Sequence, residues 1–245
     1  MVYIHGGGWV SGTKDDPQNS EFAINRYAAE GCVVISADYR LATKEKNQFP
    51  DGVIDAACAI AWAQRNATKY GGDPNKILIG GQSAGAHITA LIAYNDERNW
   101  LAGTEYKDDK LKIAGFIGSG GAYDWESVQP HWEVNQFLGA KFGTGKWEES
   151  EPVNFVSAGD PPGLIITGGN DSFVNIPNPK TGRPTTNSDL MAEALTKAGV
   201  YHELVVMPGL GHKDVIQSFT DNKDLIKSVS DFIKRVTGGQ NSPST

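Results

Sequence analysis

Short runs rich in β-branched residues alternate with longer helical patterns along most of this 245-residue chain. The candidate strands are residues 2–4, 32–37, 77–80, 113–117, 164–167 and 203–207, and the candidate helices are residues 19–29, 53–69, 84–93, 187–198 and 223–236. Residues 33–35 and 164–166 are continuously apolar, which is typical of strands that are buried on both faces. This alternation predicts an α/β fold with a mostly parallel sheet and helices on both of its faces.

The composition is that of a globular protein with enough chain to bury a sizeable core, since 39% of the residues are hydrophobic and 21% are charged. The net charge of −7, without any basic block, argues against nucleic acid as a partner. No apolar stretch approaches the ~20 residues of a membrane span. Cys32 and Cys58 are expected to be free thiols. No metal-binding or nucleotide-binding pattern occurs, so neither a metal nor a cofactor is expected.

A serine lies between the third candidate strand and the helix that follows it. Gly81-Gln82-Ser83-Ala84-Gly85 matches the pattern G-x-S-x-G in the strand–turn–helix setting that gives this pattern its meaning. The two flanking glycines let the strand and the helix approach each other closely, and the hydroxyl group projects from the edge of the sheet. The spacing therefore predicts Ser83 as a nucleophile.

A glycine-rich segment, His5-Gly6-Gly7-Gly8-Trp9, directly follows the first candidate strand. Consecutive glycines allow backbone N–H groups to turn towards one point, where they can stabilise the negative charge of a tetrahedral intermediate. Together with the N–H group that follows the nucleophile, such a loop completes an oxyanion hole. We predict that Gly7, Gly8 and Ala84 are the donors.

A serine nucleophile needs a base, and the base needs an acid that orients it. The histidines of the chain are His5, His87, His131, His202 and His212. His212 follows the last candidate strand, at the carboxyl end where active-site groups gather in open α/β sheets. His87 is one helical turn beyond Ser83, where we expect it to pack beside the turn. Asp171 also follows a strand and is the expected acid, with Asp124 as its rival.

These residues carry a resemblance to a known family. The chain resembles α/β-hydrolases of the esterase/lipase superfamily, on the HGGGW and GxSAG branch near the hormone-sensitive lipase family. It is similar above all to bacterial carboxylesterases related to acetylxylan/feruloyl esterases and to kynurenine formamidases. The matching stretches are HGGGW at 5–9, ADYRL at 37–41, residues 49–87, GGND at 168–171 and MPGLGH at 207–212.

The resemblance implies an eight-stranded sheet and ester hydrolysis without a cofactor. The chain departs from the family where the two strands before the HGGG strand are missing, where Gln82 replaces a common His or Asp, and where residues 174–186 are inserted. We expect residues 1–237 to form one catalytic domain, truncated at its N terminus, with a lid-like insertion at about 122–163 and a flexible tail at 238–245. Strand 32–37 would then be an exposed edge that is prone to pairing.

The expected function is that of a serine carboxylic-ester hydrolase acting on small-molecule or carbohydrate-linked esters, either short-chain or aryl. Trp9, Tyr123 and Trp125 are candidate substrate-binding residues, although the aromatic residues of the insertion could equally form its own small core. An arylformamidase with the same triad is the first alternative. A non-catalytic binding module with a hydrolase fold is the second.

Overall fold

Six parallel strands form one sheet in the computed structural model, which describes residues 1–16, 22–128, 132–140, 146–175 and 186–238. The strands are β1 (Val2–Ile4), β2 (Ile35–Ala37), β3 (Ile77–Gln82), β4 (Ile113–Ser119), β5 (Gly163–Gly168) and β6 (His202–Met207). Their order is β2-β1-β3-β4-β5-β6, and every neighbouring pair is parallel. The prediction of a mostly parallel sheet is confirmed.

The helices are α1 (Phe22–Ala29), α2 (Asp51–Asn66), α3 (Ala84–Tyr94), α4 (Trp132–Leu138), α5 (Asn187–Ala198), α6 (Asp214–Gln217) and α7 (Lys223–Val236). The sequence predicted all of these except the two short helices α4 and α6. The predicted helix at 53–69 is divided, because a 3-10 helix at Ala67–Tyr70 follows α2 and ends at Gly71 in a left-handed conformation. Residues 19–21 of the first predicted helix lie outside the described residues.

The two faces of the sheet each pack against their own set of helices. Successive side chains of a strand point to opposite faces, so Ile165 joins the cluster formed with α2, α3 and α5, whereas Leu164 and Ile166 join the cluster formed with α1, α6 and α7. All three side chains are fully buried. The continuously apolar run at 164–166 is therefore explained by a strand that is covered on both sides.

Helix α2 shows why these segments form helices in this position. Its buried residues Val53, Ala56, Ala57 and Ile60 recur at intervals of three and four, which places them in one apolar stripe that faces the core. Helix α5 is instead fixed at its start by a capping box, in which the side chain of Thr186 accepts from the backbone of the third helical residue.

Strand β2 is at one edge of the sheet and has only β1 as a neighbour. The predicted strand at 32–37 is shorter than expected, since residues 32–34 are irregular and the side chain of Val33 is 36% exposed. The interpretation of residues 33–35 as a strand buried on both faces is therefore wrong. Val34 and Ile35 are only partly buried, each against one of the two helical clusters, whereas the side chains of β5 lie fully within them.

The carboxyl ends of all six strands meet at one edge of the sheet, because the strands are parallel. The segments that follow β1, β3, β4, β5 and β6 consequently converge on one region. The segment predicted as an insertion, residues 122–163, begins here and includes a 3-10 helix at Trp125–Ser127 and helix α4. Among the described helices, none is both long enough and apolar enough to cross a membrane.

Candidate active site

Ser83 occupies a sharp turn between β3 and α3, with a φ angle of 54° and a ψ angle of −119°. A side chain in this backbone region is strained by ~1–3 kcal/mol and persists only where the surrounding structure requires it. A Cβ atom on Gly81 would lie 2.3 Å from the carbonyl oxygen of Ile4, and one on Gly85 would lie 2.0 Å from the same oxygen. Both glycines are therefore needed for β1 to pack against the turn.

The segments after β5 and β6 remain paired beyond the ends of the strands. The N–H group of Gly169 donates to the carbonyl of Met207 at 2.8 Å, and the N–H group of Asn170 donates to that of Leu210 at 3.0 Å. The next residues of the two segments include Asp171 and His212, which are brought together by this pairing. The interaction of their side chains therefore depends on the backbone register of β5 and β6.

Ser83, His212 and Asp171 form a continuous hydrogen-bonded chain. The Oγ–H group of Ser83 donates to Nε2 of His212 at 2.9 Å, and Nδ1–H of His212 donates to Oδ2 of Asp171 at 2.7 Å. The carboxylate of Asp171 is fully buried, and its Oδ1 accepts from the backbone N–H groups of Phe173 and Val174 at 3.1 and 3.3 Å. These two donors hold the carboxylate in the orientation that the imidazole requires.

Asp124, the rival acid, is engaged elsewhere. Its Oδ2 accepts from the backbone N–H group of Ser127 at 3.0 Å, so the carboxylate caps the 3-10 helix that follows. Its own backbone N–H group donates to Oδ1 of Asn187 at 2.8 Å. Of the two candidate acids, only Asp171 is hydrogen bonded to His212.

The glycine-rich loop has three consecutive residues with positive φ angles, which are Gly7 at 113°, Gly8 at 59° and Trp9 at 64°. Within the described part of the chain, the N–H groups of Gly7 and Gly8 donate to no protein acceptor. The N–H group of Ala84 is likewise without an intrahelical acceptor, because Ala84 is the first residue of α3. All three donors that the sequence predicted are therefore available at the carboxyl edge of the sheet.

His5 holds the first peptide of this loop. Its Nδ1–H group donates to the carbonyl oxygen of Gly6 at 2.7 Å, and its ring stacks on Tyr39 with 4.5 Å between the ring centroids. Burial lowers the pKa of His5. The carbonyl of Gly6 and the N–H group of Gly7 belong to the same planar peptide unit, so this hydrogen bond also fixes the direction of the Gly7 N–H group.

His87 packs beside the turn, as predicted, and is completely buried. Its Nδ1 accepts from the indole N–H group of Trp9 at 3.1 Å, and its Nε2–H group donates to the carbonyl of Ser150 at 2.8 Å. Burial lowers the pKa of His87 to about 4, since the charged form would lose its hydration. His202 is bound at the start of β6 to Val200, whereas His131 lies outside the described residues.

The three candidate substrate-binding residues Trp9, Tyr123 and Trp125 are buried in the core. The centroids of the Trp9 and Trp125 rings are 5.4 Å apart, and the indole N–H group of Trp125 donates to the hydroxyl of Ser150 at 2.9 Å. The expectation that these rings form a substrate surface is therefore corrected, because Trp9 and Trp125 pack against each other and Tyr123 packs edge-on against Phe116 of β4.

The other aromatic residues of the predicted insertion differ in their exposure to solvent. Phe137 and Trp147 are also buried, whereas Trp132, the first residue of α4, is 60% exposed. Phe142 lies outside the described residues. Among the aromatic residues of the insertion that the structure describes, Trp132 is the one that is open to solvent.

Two residues at the site were not singled out from the sequence. Gly120 follows β4 with a φ angle of 56°, and its backbone lies against the imidazole of His212. Asn187, the first residue of α5, binds the segment after β4 through hydrogen bonds with the backbone of Tyr123 and Asp124. Two adjacent glycines, 120 and 121, at the end of a strand were a sequence signal for Gly120. No local pattern pointed to Asn187.

The described residues include no group of three or more His, Cys, Asp or Glu side chains that could hold a metal ion. Cys32 and Cys58 are free and partly buried. The candidate site therefore consists of the hydrogen-bonded Ser83, His212 and Asp171 together with the backbone donors of the glycine-rich loop.

A mostly parallel sheet with a serine on a strained strand–helix turn, a histidine and an acid on the following segments, and a glycine-rich loop defines an α/β-hydrolase of the esterase type. The chain belongs to the BD-FAE family, whose model matches residues 1–181. This confirms the resemblance that the sequence motifs indicated.

The relatives that the chain resembles in sequence include esterases. Esterase LipC of Mycobacterium tuberculosis is 30% identical over 187 residues, which cover 72% of this chain and 45% of LipC. This chain therefore spans less than half of the length of that relative.

Solved structures show the same fold. A truncated form of a carbohydrate esterase from gut microbiota superimposes with a TM-score of 0.80 at 20% identity, covering 97% of this chain and 85% of the other. The native esterase Est2 of the Planctomycetes species Thermogutta terrifontis has a TM-score of 0.73 at 26% identity, covering 100% of this chain and 83% of the other.

Proposed function

We propose that the chain is a serine carboxylic-ester hydrolase that acts through an acyl-enzyme intermediate. The observation that carries the proposal is the pair of hydrogen bonds from Ser83 to His212, at 2.9 Å, and from His212 to Asp171, at 2.7 Å. Membership of the BD-FAE family and similarity to esterases support it further.

In the acylation step, Oγ of Ser83 attacks the carbonyl carbon of the ester while Nε2 of His212 takes the hydroxyl proton. The negative charge that develops on the carbonyl oxygen is stabilised by the N–H groups of Gly7, Gly8 and Ala84. As the intermediate collapses, the protonated His212 gives its proton to the departing alcohol. Asp171 holds the imidazole in the required tautomer and stabilises its positive charge.

Deacylation uses the same groups in the same roles. Water replaces the alcohol, His212 removes a proton from it, and the resulting oxygen attacks the acyl carbon. Collapse of the second intermediate returns the proton to Ser83 and releases the acid. Acylation and deacylation each begin with His212 acting as a base in its neutral form, so the activity should fall in acid.

The proposed substrates are short-chain esters or esters linked to an aryl group or a carbohydrate. The insertion carries no long apolar segment that could cover a long-chain lipid, and the exposed indole ring of Trp132 is a flat surface of the kind on which sugar and aryl rings stack. A small ester is thus the proposed partner, and the net charge of −7 argues against nucleic acid.

The central test compares the wild-type protein with Ser83→Ala on p-nitrophenyl acetate, longer p-nitrophenyl esters, methyl ferulate and acetylated xylan. Ser83→Ala should abolish turnover, while circular dichroism should show an unchanged fold. Retained turnover would refute the proposal. Trp132→Ala should raise KM for acetylated xylan and methyl ferulate more than for p-nitrophenyl acetate.

N-formylkynurenine, added to the same panel, separates an esterase from an arylformamidase. The formamidase alternative has no specific support from the relatives, and we expect little hydrolysis of this amide. We also propose that residues 1–237 form one catalytic unit in which residues 122–163 are an insertion. Limited proteolysis would test this organisation, because cleavage between two separate domains would release two stable fragments.

A further inference from the structure

The carbonyl oxygen of Gly7 accepts three hydrogen bonds from residues that follow it in the chain. The backbone N–H groups of Val10 and Ser11 donate to it at 3.2 and 3.0 Å, and the Oγ–H group of Ser11 donates to it at 2.9 Å. A carbonyl oxygen has two lone pairs, so this acceptor is fully used. The side chain of Ser11 thus closes a turn onto the glycine-rich loop.

This carbonyl belongs to the same peptide unit as the N–H group of Gly8, which is one of the oxyanion donors of the proposed mechanism. The unit is planar and trans, so its C=O and N–H bonds point in opposite directions. Donors that hold the oxygen therefore fix the direction of the N–H group as well. They also polarise the peptide unit, which makes its N–H group a stronger donor.

The hydroxyl of Ser11 does for Gly8 what the imidazole of His5 does for Gly7, since each side chain holds the carbonyl of the peptide unit that carries the donor. The close approach of Ser11 requires a glycine at position 7, where φ is 113° and a Cβ atom would lie 2.1 Å from the carbonyl oxygen of Ser11. Both donors of the loop are thus oriented by a side chain outside its three glycines.

Ser11 itself lies between two points that are anchored to the segment around and after β2. The carbonyl of Trp9 accepts from the backbone N–H group of Ala42 at 2.9 Å. The backbone N–H group of Lys14 donates to Oδ1 of Asp38 at 2.6 Å. The backbone on either side of Ser11 is therefore held in place, and its hydroxyl is presented to the carbonyl of Gly7 without a search over many conformations.

Helix α4 packs on the same part of the loop. A Cβ atom on Gly8 would lie 3.2 Å from Cγ of Glu133, and the ring of Phe137 stacks on Trp9 with 5.0 Å between the ring centroids. Packing of this kind limits the space beside Gly8 but is not directional. The rotation of the peptide plane between Gly7 and Gly8 therefore depends on the hydrogen bonds to its carbonyl.

We propose that Ser11 is a positioning residue, whose hydroxyl holds the peptide between Gly7 and Gly8 so that the Gly8 N–H group donates to the oxyanion of the tetrahedral intermediate. This inference rests on the proposed ester hydrolysis and adds to it a residue outside the triad and the three glycines. Ser11 acts through Gly8 and not by contact with the substrate.

The experiment compares Ser11→Thr, which keeps a hydroxyl, with Ser11→Val, which has nearly the same shape but lacks it. Ser11→Ala is the third variant, and all three should fold because Ser11 is exposed. On p-nitrophenyl acetate, Ser11→Val and Ser11→Ala should lower kcat by about tenfold, which is less than the ~10²- to 10³-fold cost of removing an oxyanion donor outright. KM should not change, because the interaction is made only in the transition state. Ser11→Thr should keep the kcat of the wild-type protein.

The matched control is Thr13→Ala, which removes a hydroxyl from another exposed residue of the same segment. Within the part of the chain that the structure describes, the Thr13 hydroxyl has no hydrogen bond. This variant should keep the wild-type kcat. An equal loss of kcat in Thr13→Ala and Ser11→Ala would overturn the role of the hydrogen bond, and so would a Ser11→Thr variant as impaired as Ser11→Val.

A trifluoromethyl ketone gives a second readout that general damage to the fold would not reproduce. Oγ of Ser83 adds to its carbonyl carbon, the hydroxyl proton passes to His212, and the carbonyl oxygen becomes the negatively charged oxygen of a tetrahedral adduct. Ser11→Val and Ser11→Ala should raise its Ki by about the factor by which kcat falls. The Ki of the corresponding alcohol, which forms no adduct, should not change. Equal increases for both inhibitors would indicate a distorted pocket and overturn the proposal.

Failure of this inference differs from failure of the proposed function. A wild-type protein that does not hydrolyse p-nitrophenyl acetate would refute ester hydrolysis itself. An active wild-type protein with unchanged kcat in both Ser11→Val and Ser11→Ala would refute only the role of Ser11 and leave the esterase standing.

Discussion

Gly120 lies directly against the imidazole of His212, so that a Cβ atom at this position would be 3.1 Å from Cε1 and 3.2 Å from Nδ1 of the ring. We expect Gly120→Ala to displace the ring and lower kcat by about 10- to 100-fold, since small misplacements of a catalytic group cost factors of this size. The matched control is Gly103→Ala. Gly103 also has a positive φ angle, but nothing lies within 4 Å of the added atom.

Both variants should lose about 1–2 kcal/mol of stability through backbone strain, and only Gly120→Ala should lose activity. Steady-state kinetics and urea unfolding measure the two effects separately. An equal loss of kcat in both variants would show that strain, and not contact with His212, is responsible.

The strained backbone of Ser83 predicts a difference between two inactive variants. Ser83→Ala and Ser83→Gly both remove the hydroxyl, but only glycine adopts a φ angle of 54° without steric strain. Ser83→Gly should therefore be about 1 kcal/mol more stable than Ser83→Ala. Thermal or urea unfolding measures this difference, and a glycine variant no more stable than the alanine variant would show that the turn is not strained.

The choice between the two candidate acids can be tested by matched asparagine substitutions. Asp171→Asn should lower kcat by about 10³- to 10⁴-fold, because an amide at this position favours the wrong imidazole tautomer. The Asp124→Asn variant should hydrolyse esters as fast as the wild-type protein, since asparagine caps a helix as well as aspartate does. Hydrolysis of p-nitrophenyl acetate measures both, and the opposite ranking of the two variants would reassign the acid.

The buried His87 predicts a specific loss of stability in acid. Its pKa is about 4 in the folded protein, against ~6.5 for a free histidine, so the unfolded chain binds the proton more tightly between these values. The contribution of neutral His87 to stability is therefore complete above about pH 6.5 and is lost as the pH falls to about 4. Over this range the wild-type protein should lose roughly 2–3 kcal/mol more than His87→Asn.

Urea unfolding of both proteins at a series of pH values checks this expectation. Other groups titrate equally in the two proteins, so the difference between the curves isolates His87. Parallel curves would mean that His87 is already charged in the folded state or does not titrate in this range.

Much of the fold followed from local pattern. The apolar run of β3, the continuously apolar run of β5 and the apolar stripe of α2 are local signals, and the strands and helix that they predicted are confirmed. Helix α4 escaped prediction because its seven residues combine polar and aromatic side chains without a clear stripe, and its position depends on contacts with the distant residues Ala42 and Phe49.

In the candidate site, too, some residues could be predicted from local pattern and others could not. Ser83, His212 and Asp171 could be predicted because each follows a strand. The carboxyl ends of parallel strands lie at one edge of the sheet, which brings such residues together. The contacts of Asn187 with Tyr123 and of Glu133 with Gly8 join segments that are 64 and 125 residues apart. Contacts of this kind depend on tertiary packing, which no single local pattern records. Trp9 and Trp125 were misinterpreted for this reason.

The hydrogen bonds from Trp9 to His87 and from His87 to Ser150 also constrain how such a protein can be altered. They connect the glycine-rich loop to the insertion through one buried imidazole, with every polar atom of the ring in use. Exchanging the insertion with that of a relative would leave this ring without an acceptor unless the new backbone supplied a carbonyl at the same point. A successful graft would therefore transfer the loop, the histidine and the insertion together, as one inherited unit.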